Sequence, residues 1–314
     1  MPALICGSFA FDTIMVFQDQ FKNHILPDKV HILNVAFHVP EMRREFGGCA
    51  ANIAYNLKLL GGDPLPMGTV GKDFAPYAAW LDQHGIPRTH VKEMSACYTA
   101  QAFITTDRDD NQITAFHPGA MDLAHEVQVS DAEGVTLGIV SPDGRQGMID
   151  HAEQFAEAGI PFIFDPGQAM PLFNKDDFRT FIQQATWVCV NDYESQLLQE
   201  RTGYSPHEIA EQVEALIVTR GAEGSMLRSR DGATEIGVVR PDDVQDPTGC
   251  GDAFRSGLLH GLLNDLDLVT CCRIGSVMGA IKVECAGTQN HALEPESFAE
   301  RFSASFGYEH GLDV

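Results

Sequence analysis

Asp246-Pro247-Thr248-Gly249-Cys250-Gly251-Asp252-Ala253-Phe254 runs straight into Arg255-Ser256-Gly257-Leu258-Leu259-His260-Gly261-Leu262-Leu263. The stretch predicts a Gly-x-Gly turn at the mouth of a helix, with the carboxylate of Asp252 in the first turn. Unpaired amides and the helix dipole make such a turn a cradle for an anion. A bare Gly-x-Gly-Asp is also compatible with an ordinary helix start, where an acid in the first turn is merely favourable. An aspartate beside a bound anion is electrostatically costly unless it accepts a proton from a hydroxyl that attacks that anion. The stretch therefore points to phosphoryl transfer.

A second glycine turn lies about 200 residues earlier. Phe46-Gly47-Gly48-Cys49-Ala50-Ala51-Asn52 leads into Ile53-Ala54-Tyr55-Asn56-Leu57-Lys58-Leu59-Leu60 and ends at Gly61-Gly62. Residues 50, 53, 54, 57 and 60 are apolar at helical spacing, and the closing glycines are a helix stop.

Together the two segments resemble the signatures of the PfkB carbohydrate kinase family, the ribokinase-like kinases that include ribokinase, fructokinase and adenosine kinase. The resemblance covers nearly the whole chain, with its specific motifs at 46–52 and 246–263. It implies ATP and Mg²⁺ as cofactors, with Asp252 as the base and the amides of Gly249, Cys250 and Gly251 as the anion hole. Gly47, Gly48 and Asn52 would contact the acceptor, and Asp12, after Cys6-Gly7-Ser8-Phe9-Ala10-Phe11, would grip two sugar hydroxyls just past the end of the first strand. On the nucleotide side, Glu194 of Asn191-Asp192-Tyr193-Glu194 would hold Mg²⁺ through water, a setting that suits this cation. Thr219 and Gly221 of Leu216-Ile217-Val218-Thr219-Arg220-Gly221 match the nucleotide loop, although the segment also fits a plain hairpin turn. Many members hold K⁺ with groups equivalent to Asp246, Thr248 and Gly287. Here His291 stands where some of them place a hydroxyl ligand, which puts K⁺ in doubt and leaves His291 to border the nucleotide pocket.

Composition agrees with an enzyme of this size. The 314 residues are 44% hydrophobic, enough for one large α/β domain or two small ones, and with no repeat or linker dividing the chain the expectation is a single domain spanning 1–314. A net charge of −23 argues against nucleic acid or an anionic membrane as a partner. Eight cysteines show no Cys-x-x-Cys and no zinc spacing, and read as reduced thiols of a cytoplasmic protein. Cys250, where most family members carry alanine, lies at a helix N-terminus, which favours a thiolate. The start of the chain lacks the basic region of a secretory signal, and no run reaches the length of a membrane span.

Apolar strands alternate with helical patterns at 65–70, 135–140, 161–164, 187–190 and 216–219, which predicts a mostly parallel three-layer α/β/α sheet with ligands at the strand carboxyl ends. Residues 12 to about 45 and about 96 to 118 instead read as strands and hairpins, with strands at 13–17, 31–34, 100–105 and 112–116, and the family resemblance implies that they form a small β-sheet lid over the acceptor. A closing lid excludes competing water. Its strands also suit a homodimer, though monomers occur in the family.

Phe103 and Phe116, with Phe17 and Phe37, suggest an apolar pocket for a base, favouring an adenosine-type nucleoside as acceptor over a sugar such as ribose. A non-catalytic sugar or nucleoside sensor is the alternative of another class, opposed by Asp252, Glu194 and the anion cradle. A dinucleotide fold would need Gly-x-Gly-x-x-Gly near the first strand, and a P-loop would need glycine at Pro66 and a hydroxyl at Asp73.

Overall fold

The computed structural model describes residues 1–25, 32, 34–109 and 111–312. The chain order is β1 (Pro2–Cys6), β2 (Ala10–Val16), β3 (Glu41–Gly47), α1 (Cys49–Leu59), β4 (Asp63–Gly71), α2 (Ala75–Gln83), β5 (His90–Met94), β6 (Ala100–Thr106) and β7 (Gln112–His117). There follow β8 (Leu137–Val140), α3 (Arg145–Ala158), β9 (Phe162–Phe164), α4 (Lys175–Gln184), β10 (Trp187–Asn191), α5 (Asp192–Thr202), α6 (Pro206–Ala210), β11 (Ala215–Thr219), β12 (Ser225–Ser229) and β13 (Gly232–Ile236). Helices α7 (Cys250–Leu263), α8 (Leu268–Val283) and α9 (Pro295–Phe306) close the chain.

The main sheet has the order β13-β12-β11-β10-β9-β8-β1-β4-β5. Its strands are parallel except for the antiparallel pairs β11–β12 and β12–β13. Central strands such as Leu137-Gly138-Ile139-Val140 are apolar at every position because both faces are covered by helices. The pleat divides each strand between two cores: Ala3 and Ile5 join the layer with α1 and α7, while Leu4 and Cys6 join the layer with α3 and α4. Among the described residues no helix is long and apolar enough to cross a membrane.

The second sheet, β3-β2-β6-β7, is built from the two segments expected to form a lid. It starts only three residues after β1, so Asp12 lies inside β2 rather than past a strand end. The short link makes the first lid strand a continuation of β1, an interior strand of the main sheet. Of the strand expected at 31–34, residues 31 and 33 lie outside the described residues, and Ile32 and Asn34 are not in a strand. Edge strand β7 is exposed along its whole length.

Candidate active site

Two helix N-termini meet in a cleft of about 1330 Å³ at the carboxyl ends of the parallel strands. Gly249 caps α7 in the left-handed region, which glycine adopts without steric cost. The Cys250 amide bonds Pro247 O at 3.1 Å, so it closes the turn instead of facing an anion as the sequence suggested. The first-turn amides of Gly251 and Asp252 have no carbonyl a full turn behind them within the helix, and they supply the donors at its mouth. Burial pushes the Cys250 thiol above its usual range, against the thiolate expected at a helix start.

Asp252 is the meeting point of the two signatures. Its Oδ2 accepts from Asn52 Nδ2 at 2.8 Å, across 200 residues of sequence. Burial pushes its pKa up to about 6, and the Asn52 bond opposes the rise. The amide of Asn52 is itself fixed, because Gln289 Nε2 donates to Asn52 Oδ1 at 2.9 Å and Trp80 Nε1 donates to Gln289 Oε1 at 2.9 Å. Asn52 thus directs one N–H at the carboxylate.

One turn along α7, Arg255 pairs with Asp165 through Nε to Oδ2 at 2.8 Å and Nη2 to Oδ1 at 2.9 Å. Both side chains are buried, at 6% and 4% exposure. Arg255 Nη1 also donates to Gly251 O at 3.2 Å, and Arg255 Nη2 lies 4.0 Å from Glu194 Oε2. A bidentate guanidinium therefore holds the α7 turn, the end of β9 and the start of α5 together. From sequence alone neither Asp165, just past the strand at 161–164, nor Arg255 has an assigned part. The position of Arg255 one helical turn after Asp252 was the available signal.

On the acceptor side, Gly47 leaves room for Asp12: a Cβ at Gly47 would meet Asp12 Oδ2 at 2.6 Å. Asp12 is pushed up to about 6 by burial and by the neighbouring charges of Glu45 and Asp246. Register places Asp12 opposite Ala102, and Ala102 opposite Phe116, so the three side chains share the face that lines the cleft. Phe103 pairs with Thr13 and Ala115 on the opposite face, so the pleat carries it away from the cleft. Phe17 and Phe37 also lie elsewhere, in an aromatic cluster with Phe21 and His24.

At the nucleotide end, Asn191 caps α5: its side chain accepts from Glu194 N at 2.7 Å, and Glu194 Oε2 accepts from Asn191 N at 2.8 Å. This is a capping box whose carboxylate also lines the cleft. Burial and Asp165 raise the Glu194 pKa, while Arg255 lowers it. Thr219 and Gly221 line the same cleft, and the antiparallel β11–β12 pair shows that their loop is a hairpin connection as well. Asp143, unassigned from sequence, is buried in the wall, with a carboxyl pushed up to about 8 by burial.

His291 does not border the cleft. It is buried against Tyr55, with Nε2 2.7 Å from Asn56 Oδ1. Asp246 Oδ1 accepts from Thr248 N at 2.9 Å and its Oδ2 from Gly287 N at 2.9 Å, joining the loops before α7 and after α8. Burial raises the Asp246 pKa, but these bonds and Lys282 hold it below the usual carboxylate range.

The model of the pfkB family carbohydrate kinases matches residues 14–295. Nucleoside kinase from Methanothermobacter thermautotrophicus is 30% identical over 98% of this chain and 97% of its own length. The structure of Burkholderia thailandensis nucleoside kinase in complex with inosine is 51% identical, with a TM-score of 0.89 over 98% of this chain and 99% of that one. The structure of the same kinase in complex with ADP-inosine is 52% identical, with a TM-score of 0.86 over 98% of this chain and 97% of that one.

Proposed function

Because the chain belongs to the pfkB family of carbohydrate kinases, we propose that it transfers the γ-phosphoryl group of ATP to the primary hydroxyl of a purine nucleoside. It is a phosphotransferase and a nucleoside kinase. The purine preference is our inference, supported by the relative that binds inosine and by the lateral row Asp12-Ala102-Phe116. Two strand spacings separate Asp12 from Phe116, roughly 10 Å. That span suits a ribose held at Asp12 with its base beneath the small Ala102 and against the ring of Phe116.

In this reading Asp12 and the glycine pair orient the sugar, and Asp252 takes the proton of the primary hydroxyl as its oxygen attacks the γ-phosphorus. The bond from that phosphorus to the β–γ bridging oxygen breaks, and ADP leaves. With a pKa of about 6, Asp252 is ionised at neutral pH yet basic enough to accept the proton. The amides of Gly251 and Asp252 and the α7 dipole stabilise charge on the transferred group, and Arg255 holds that turn in place. Glu194, a half-buried carboxylate in the cleft wall, suits a cation bound largely through water, and Asn191 fixes its rotamer. Mg²⁺ bound there would neutralise phosphate charge.

The observation that carries the assignment is the 2.8 Å bond between Asn52 and Asp252, which brings both signatures to one point of the cleft. The test is ADP release over a panel of purine and pyrimidine nucleosides, ribose, fructose and sugar phosphates. Purine nucleosides should give the highest kcat/KM, with ribose lower by at least ~10²-fold because base burial is lost. Preference for a free sugar would overturn the assignment of the acceptor.

A further inference from the structure

Lys282 ends its side chain in a place where lysine is rarely found. It lies in the last turn of α8 with 0% exposure. Its Nζ donates to the carbonyl oxygens of Asp246 at 2.8 Å and Cys285 at 3.0 Å. An ammonium removed from water needs strong compensation. Here the helix C-terminus and two converging carbonyls supply it. Those carbonyls belong to the two loops that frame the mouth of α7. The loops are also joined by the Gly287 amide on Asp246 Oδ2, and the Thr288 side chain stands beside Gly249.

The Lys282 charge beside Asp246 disfavours a second cation such as K⁺ in the same place. The carbonyls of Asp246 and Cys285 are taken by Lys282, and both carboxylate oxygens of Asp246 accept from backbone N–H groups. His291 is turned into the core, toward Asn56.

We propose that the Lys282 ammonium is a built-in monovalent cation that clamps the 246–249 and 285–288 loops behind the anion hole, so that phosphoryl transfer proceeds without K⁺. Lys282 is a positioning residue. It touches no reacting atom and acts through the backbone that leads into Gly249, Gly251 and Asp252. The inference rests on the kinase assignment above.

The experiment compares steady-state turnover of inosine with MgATP in chloride salts of K⁺, Na⁺ and tetramethylammonium at equal ionic strength. The wild-type chain should turn over equally in all three. Lys282→Ala leaves a space walled by the same carbonyls, and in tetramethylammonium its kcat should fall by about 10²-fold, as for loss of one preorganised electrostatic group. Its KM for inosine should stay near wild type, and K⁺ or NH₄⁺ should restore much of the loss. Lys282→Met, which fills the space without charge, should show the loss without rescue. Severalfold activation of the wild type by K⁺, or full turnover of Lys282→Ala in tetramethylammonium, would overturn the proposal. The wild-type salt series decides even if both variants misfold. Absence of phosphoryl transfer to any nucleoside in every salt would instead defeat the kinase assignment.

Discussion

The turn before α1 and the turn before α7 both place a glycine at positive φ, Gly48 at +93° and Gly249 at +82°. A Cβ on Gly48 would come within 2.5–2.6 Å of backbone atoms of Ser8, Phe9 and Ala10, whereas the nearest atoms to one on Gly249 belong to Thr288, at 3.2 Å and beyond. The acceptor turn is therefore locked by close backbone packing against the chain between β1 and β2. The phosphate turn is set by its own dihedral angles and by the charges around it. Their first helical turns are complementary too: α1 presents the amide of Asn52 as donor, and α7 presents the carboxylate of Asp252 as acceptor. One turn is mechanical and the other electrostatic.

The largest test of this contrast is Asp252→Asn, which removes the proton acceptor and keeps the shape. Its kcat should fall by about 10²–10⁴-fold while inosine binding, followed by calorimetry, persists. Near-normal turnover would remove Asp252 from the chemistry. Gly48→Ala should come next, expressed as lost stability. A strained φ alone costs roughly 1–3 kcal/mol, and the backbone clash adds to it, so its melting temperature should fall well below that of Gly249→Ala. Equal melting temperatures would erase the mechanical distinction.

Asn52→Ala should lower kcat by roughly tenfold through loss of a hydrogen bond to a charged group. The same variant should move the acid limb of the pH–rate profile upward, because the lost bond favours the ionised form of Asp252. In the wild type, kcat/KM should decline as pH falls through about 6, where Asp252 and Asp12 take up protons. The smallest effect should be that of Gly249→Ala on stability, about 1–2 kcal/mol from the left-handed backbone, read by denaturant titration.

Both glycine turns, the helices they open and the buried parallel strands were legible in the sequence because each rests on local spacing. Asn191 and Glu194 were legible for the same reason, since their capping box spans only three residues. Side-chain direction within the lid was not. Phe103 and Phe116 look equivalent in sequence, but the β6–β7 register pairs Ala102 with Phe116 and turns Phe103 outward. A shift of one residue in that register would exchange their faces, and composition does not set it. His291 likewise stands where some family members place a hydroxyl ligand and is expected from sequence to border the nucleotide pocket, yet Tyr55 and Asn56 draw it into the core.

By itself the sequence determined the alternation of strands and helices, the two glycine turns and the carboxylate that follows the second. These depend on backbone freedom and hydrophobic period, which act over a few residues. Only the tertiary structure decided that Asn52 would orient Asp252, that Asp165 would anchor Arg255, and that Lys282 would close the loops behind the anion hole. Each of those contacts joins residues 36 to 200 positions apart. A buried charge reveals its partners only when the fold removes them from water together and each group must be compensated by those beside it.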